Sequence, residues 1–167
     1  MKLTLKNLSL AIVAAASVNI FAADAPTAEK AAESPAAKQA KQAIEIRQAA
    51  FTLIGNSFRP IGEASQGKIE YNQADIQSRA NRILVLTDFL DHSFPEASNL
   101  GDPATKAKAE VWTKKADFDK ELKKFKDDVA SLVKVAATET TATDAFKASA
   151  GAVAKDCKSC HEGFKAK

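Results

Sequence analysis

Residues 146–164 read FKASAGAVAKDCKSCHEGF. Their larger or softer apolar side chains, Phe146, Ala150, Val153, Cys157, Cys160 and Phe164, recur at alternating steps of four and three, which places them on one face of an α-helix. Three further segments carry the same stripe: Ile44, Gln48, Phe51, Ile54, Phe58, Ile61; then Ile76, Ala80, Ile83, Thr87, Leu90, Phe94; then Phe118, Leu122, Phe125, Val129, Leu132, Ala136. A face of that width is how one helix packs against its neighbours. Gly62 and Gly67, the Pro95–Pro103 stretch and Thr138–Thr143 mark the breaks. Alanine and long charged side chains fill the other positions, in line with helix propensity. No segment alternates with period two for long enough to read as a strand. The expectation is an all-α protein, an antiparallel four-helix bundle whose helices run to roughly 20 residues each.

The last stripe also carries chemistry. Cys157-Lys158-Ser159-Cys160-His161 has the C-x-x-C-H spacing of a c-type haem attachment site. Two thiols add across the two vinyl groups of one porphyrin, so they must stand a short, fixed distance apart. The adjacent histidine then reaches the iron as its proximal ligand. Positions 157, 160 and 161 share one helix face, and that face belongs to the core seam, so one covalently attached haem c per chain is expected inside the bundle. Two other readings use the same residues. A redox-active dithiol normally sits where a strand gives way to a helix, and no strand is expected here. A disulfide inside one helix would close a very small loop and add little stability.

With 24 Lys plus Arg, 21 Asp plus Glu, two Cys, two His and one Met in 167 residues, the list of iron ligands is short. Met1 to Lys6 is basic, Leu8 to Ala16 is apolar, and Ala22 and Ala23 are small, the order of a secretory signal peptide. Removing residues 1–22 takes away Met1, the sole methionine, and leaves a net charge of about +1. Methionine ligation is then ruled out. His92 lies two residues past Leu90, about 200° round the helix, and turns away from the core. Burying a lysine at the iron would cost its charge. Five-coordinate iron with an open distal side follows. Phe51 is the candidate over that side, with Phe94, Phe118 and Phe125 as further wall residues.

Residues 23–40, Ala-, Pro- and Lys-rich with nothing large to bury, read as a flexible leader, with helix able to begin after Pro35. The bundle is then expected over residues 41–167. The charge is too small and too interleaved for nucleic acid. No later segment is apolar enough to span a membrane, so no membrane attachment is expected after signal cleavage.

Ile46-Arg47-Gln48-Ala49-Ala50-Phe51-Thr52-Leu53-Ile54-Gly55 and Cys157-Lys158-Ser159-Cys160-His161-Glu162-Gly163-Phe164-Lys165 resemble the first-helix and C-terminal haem segments of the cytochrome c′ family, exported four-helix-bundle haem proteins. Helix order and the long second link agree, so the resemblance covers about residues 40–167. It implies a pentacoordinate haem with His161 proximal and Phe51 in the distal place, where many members carry Leu or Met. It implies that Arg47 and Gln48 lie beside the haem propionates and that Phe94 packs near the haem. Lys165 stands where an Arg commonly follows the haem histidine, keeping the charge without the planar fork. The family is often dimeric through its first two helices, which implies a homodimer of that kind here.

The expected function is that of a periplasmic haem protein binding small diatomic ligands, nitric oxide or carbon monoxide, rather than an enzyme, since the first-helix stripe brings no acid, base or donor over the iron. The alternative is a periplasmic electron carrier. Lysines 106, 108, 114, 115, 120, 123, 124 and 126 would then dock an acidic redox partner, although Asp117, Asp119, Glu121, Asp127 and Asp128 are mixed among them.

Overall fold

Ser34 caps the first helix: its hydroxyl accepts the Ala37 N–H at 3.2 Å, and Pro35 takes the first helical position, where a missing N–H is harmless. The computed structural model describes residues 34–167; the signal peptide expected over 1–22 and the leader over 23–33 lie outside the described residues. Helix α1 spans Pro35–Ser65. Residues 35–40, expected to close the leader, are therefore helical, as their Ala, Lys and Gln content favours.

Helix α1 also runs through Pro60 and Gly62 rather than breaking at Gly62. Ile61 and Ala64, buried just beyond the proline, hold the last turn against the core, and tertiary burial outweighs the lost backbone bond. The true stop is Gly67, with φ of 69°. Lys68 N–H donates to Glu63 C=O at 2.9 Å and Gly67 N–H to Ala64 C=O at 3.0 Å, the paired bonds of a Schellman C-cap.

Helix α2 spans Gln73–Asp88, α3 is one turn at Glu110–Thr113, α4 spans Lys115–Thr138 and α5 spans Asp144–Phe164. Asn72 and Thr143 cap α2 and α5 by accepting the N–H of Asp75 and Phe146. The four long helices close a ring of contacts, α1 on α2, α2 on α4, α4 on α5 and α5 on α1. Ile54, Ile61, Ile83, Leu132, Phe146 and Val153 fill its axis. Each large side chain buried this way contributes about 1.5–3 kcal/mol. Tyr71 packs edge-on against Phe146, centroids 4.8 Å apart. No helix among the described residues is long and apolar enough to cross a membrane.

Three stripes differ from their sequence expectation; in α5 the seam stays buried only to Val153 and Asp156, while Cys157, Cys160 and Phe164 are half-buried and His161 is exposed. The inward face of α1 carries Arg47, Ala50, Ile54, Ser57, Ile61 and Ala64, while Gln48 is exposed and Phe51 and Phe58 stand half-buried at its edge. Small residues on the inward face let the neighbouring helices approach, and the large rings are left at the flank. In the second segment α2 ends at Asp88, so Leu90, fully buried, and Phe94 belong to the connection that follows. That connection, residues 89–114, forms one end of the molecule with a 3-10 turn at Glu96–Ser98.

Candidate functional site

At the end of the bundle where α1, α5 and the 89–114 connection converge there is a cavity of about 540 Å³. Its lining comes from four elements. Helix α1 gives Arg47, Gln48, Phe51 and Thr52, one turn of a single face. Helix α5 gives Cys160, His161 and Phe164, with Lys165 just past its end. The connection gives Phe94, Thr105, Lys106, Ala107 and Val111, and Phe118 enters from the start of α4. Phe94, Phe118 and Phe164 form a continuous edge-to-face row, with centroids 4.8 and 5.2 Å apart. Phe125, expected as a wall residue, does not line this cavity: it is buried in the core cluster two turns down α4 from Phe118.

His161 and Phe51 stand on opposing helices, centroids 6.3 Å apart and planes at 70°. Partial burial lowers the pKa of the His161 imidazole, and the Lys165 charge lowers it further. Both effects favour the neutral ring, the form that ligates a metal. Cys160 lines the cavity, while Cys157, one turn earlier, is half-buried against the core cluster. Burial raises the Cys160 thiol to about 11, aided by the charges of Glu121, Cys157 and Asp156. Burial also raises Cys157, with Asp156 adding to it. A reactive dithiol needs the opposite shift, so the disulfide-exchange reading finds no support in this environment.

The motif is clamped to α4 on both sides. Ser159 donates to a Glu121 carboxylate oxygen at 2.7 Å, and Lys124 bridges Asp156 and Asp128. Asp156 is 2% exposed, and burial raises its pKa despite the lysine.

Arg47, one turn before Phe51, is 3% exposed. Its Nη1 donates to Ser93 C=O at 3.0 Å and Ser98 Oγ at 2.8 Å; its Nη2 donates to Thr105 Oγ1 at 2.7 Å and Ser98 C=O at 3.4 Å. Its guanidinium carbon lies 5.1 Å from the Phe94 ring centre and 5.9 Å from that of Trp112. The burial lowers its pKa. Trp112 in turn donates its indole N–H to the carbonyls of Phe94 and Pro95.

The structure thus brings Arg47, Gln48, Phe51, Phe94, Cys160 and His161 to one cavity, whereas Cys157 does not line it and packs against the core cluster one turn earlier on α5. His92 is exposed and does not line it. Thr105, Lys106 and Val111 line it without any motif or period to mark them in the sequence. Of the lysines considered as a docking face, 106, 115, 123, 124 and 126 are paired with Asp102, Asp119, Asp127, Asp128 and Asp91. Most of these are exposed pairs one helical turn apart, which is a neutralised helix surface rather than a basic patch.

The residues present fit a covalently held haem. Two thiols sit one turn apart on α5 with an imidazole next in sequence, and the cavity that Cys160 and His161 line has five apolar or aromatic walls, Phe51, Phe94, Val111, Phe118 and Phe164.

Comparison with known proteins agrees. The family model described as Cytochrome C' matches residues 42–165. The chain is similar to cytochrome c′ of Halomonas halodenitrificans, 30% identical over 129 residues, covering 75% of this chain and 97% of that protein. It is similar to that of Rubrivivax gelatinosus, 34% identical over 125 residues, covering 75% and 95%. Among solved structures, cytochrome c prime from Shewanella frigidimarina superposes with a TM-score of 0.71 at 34% identity, covering 77% of this chain and 97% of that one. A ferrous variant of cytochrome c prime from Alcaligenes xylosoxidans with bound nitric oxide superposes with a TM-score of 0.69 at 26% identity, covering 77% and 96%.

Proposed function

The chain belongs to the cytochrome c′ family, and from that premise we propose that it is an exported haem protein whose five-coordinate, high-spin iron takes nitric oxide or carbon monoxide on an apolar face. Like its family it is a helical bundle carrying covalently attached haem c. Cys157 and Cys160 would hold that group through thioether bonds and His161 through its imidazole. Bound there, it would supply an iron able to take a small diatomic molecule.

The observation that carries this reading is the pair of faces presented to the cavity. On one side stands the neutral imidazole of His161; on the other stands the hydrocarbon ring of Phe51, which has no atom to ligate iron or donate a hydrogen bond. Phe51 excludes water from that face and limits what can reach it. Gln48, exposed beside Arg47 in the cavity lining, would meet a propionate. The same apolar face favours a binder over an enzyme, because no acid or base stands there to move a proton. Nitric oxide complexes of the Alcaligenes xylosoxidans relative lend the ligand class.

The test is optical. Ferric and ferrous spectra at neutral pH are expected to be high-spin, with the ferrous form changing on addition of nitric oxide or carbon monoxide. A six-coordinate, low-spin ferrous spectrum without added ligand would overturn the reading.

The protein is further read as a homodimer through α1 and α2. Ile46 and Leu53, seven residues apart on α1, and Val85 on α2 with Phe89 just past its end, are exposed at 38%, 49%, 62% and 55%. Apolar groups on one face of each helix are what an isologous contact would bury. Sedimentation is expected to give twice the chain mass, falling to the chain mass in Val85→Glu/Phe89→Glu; a wild-type monomer at tens of micromolar would refute the dimer.

A further inference from the structure

The guanidinium of Arg47 is spent on neutral oxygens. All four of its hydrogen bonds go to a segment 46 to 58 residues away in sequence, at Ser93, Ser98 and Thr105. Burying a cation costs free energy, and these four bonds to the segment offset part of that cost. The network continues. Thr105 Oγ1 also accepts the Ala107 N–H at 3.1 Å. Ala107 then pairs antiparallel with Lys165, through Lys108 N–H to Phe164 C=O at 2.9 Å and Ala166 N–H to Lys106 C=O at 2.8 Å. Lys108 Nζ reaches on to Glu162 C=O at 2.9 Å.

Taken together these contacts run without interruption from α1, one turn before Phe51, across the cavity wall to the end of α5, four residues past His161. We infer that residues 93–108 form a strap closing the cavity between its Phe51 side and its His161 side, and that Arg47 is the positioning residue that holds the strap shut. Two features of the geometry make arginine suited to this. A planar fork reaches two oxygens from each terminal nitrogen, which a lysine ammonium cannot match at fixed positions. The Phe94 and Trp112 rings against its carbon add a cation–π contact that fixes the first residues of the strap. The ligand entry rate, not the identity of the iron ligands, is then what Arg47 governs. This inference rests on the proposed ligand-binding site for its kinetic consequence, but not for the strap itself.

The experiment separates Arg47 from its acceptors. In the haem-loaded protein, amide hydrogen exchange at Lys108 and Ala166 and the association rate of carbon monoxide are measured for wild type, Arg47→Met and the double variant Ser98→Ala/Thr105→Val. The double variant leaves Arg47 in place and removes the two hydroxyl acceptors on the strap. Both variants are expected to lose at least tenfold in protection at those amides and to bind carbon monoxide several-fold faster. Arg47→Lys is expected to remain as open as Arg47→Met, since charge without the fork does not rebuild the bonds.

If Arg47→Met alters binding while the double variant matches wild type in protection and rate, Arg47 acts elsewhere and the strap is refuted. Wild-type behaviour in both refutes it as well. Should Arg47→Met not fold, the double variant decides alone. Wild-type protein that binds no carbon monoxide would sink the ligand-binding reading, and the amide protection would still judge the strap.

Discussion

Exchanging Cys157 and Cys160 together for alanine is expected to abolish the Soret band that survives acid–acetone treatment. The argument is one of reach. The two thiols lie one helical turn apart, with Cys160 in the cavity wall and Cys157 half-buried beside it. No other cysteine exists in the chain to replace either. A single exchange leaves one thioether and a residual band. The double exchange leaves haem held by His161 and packing alone, which acid–acetone removes. The fold should survive: each substitution removes one sulfur from a partly buried site, about 1 kcal/mol apiece, against the intact core around Phe146 and Val153. Helical circular dichroism near the wild-type value would establish that the loss is chemical. An acid-stable Soret band in the double variant would end the assignment.

Phe51→Ala is expected to speed carbon monoxide association about 10- to 100-fold. For a ligand to bind at the iron on the Phe51 side, the ring must move within a packed wall, a displacement of the kind that costs about 1–3 kcal/mol. Each 1.4 kcal/mol taken from a barrier is about tenfold in rate. Alanine removes that obstacle and leaves the Arg47 network one turn away untouched. Stopped-flow or flash-photolysis mixing reads the rate directly, and Phe51→Leu should fall between the two. An association rate unchanged in Phe51→Ala would take the ring away from the iron. A slow rate that rises in Phe51→Ala but not on opening the strap would place the barrier at the ring alone.

The four helices and the haem motif were legible because both depend on local information. The three- and four-residue spacing of Phe118, Phe125, Val129 and Leu132 is written within α4 itself, and Cys157, Cys160 and His161 form a site by adjacency. What local pattern misled was the inward register of α1. Counting large apolar residues favoured Gln48 and Phe51, whereas the helix turns Arg47 and Ala50 inward. A buried arginine has no hydrophobic signature, and Phe51 stands at the flank because the cavity opens there. The connection over 89–114 was legible only as a break. Ser93, Ser98 and Thr105 are ordinary loop residues in the sequence, and their burial depends on an arginine on another element. Phe125 illustrates the same limit from the other side. Its stripe membership is right, but two helical turns separate its core position from the cavity wall at Phe118.

The separation between the strap's partners bears on the order in which the molecule assembles. Helices α4 and α5 meet across a connection of Glu139–Thr143, and α1 and α2 across a similarly short one, so each pair closes a small loop. Arg47 and Thr105, or Lys108 and Glu162, must instead bring together residues 58 and 54 apart. Chain entropy delays such long closures relative to hairpins. During folding the helices can therefore be paired while the strap is still open. In that interval Cys157, Cys160 and His161 already stand on a helix paired with α4 while the 93–108 wall has still to be drawn across them.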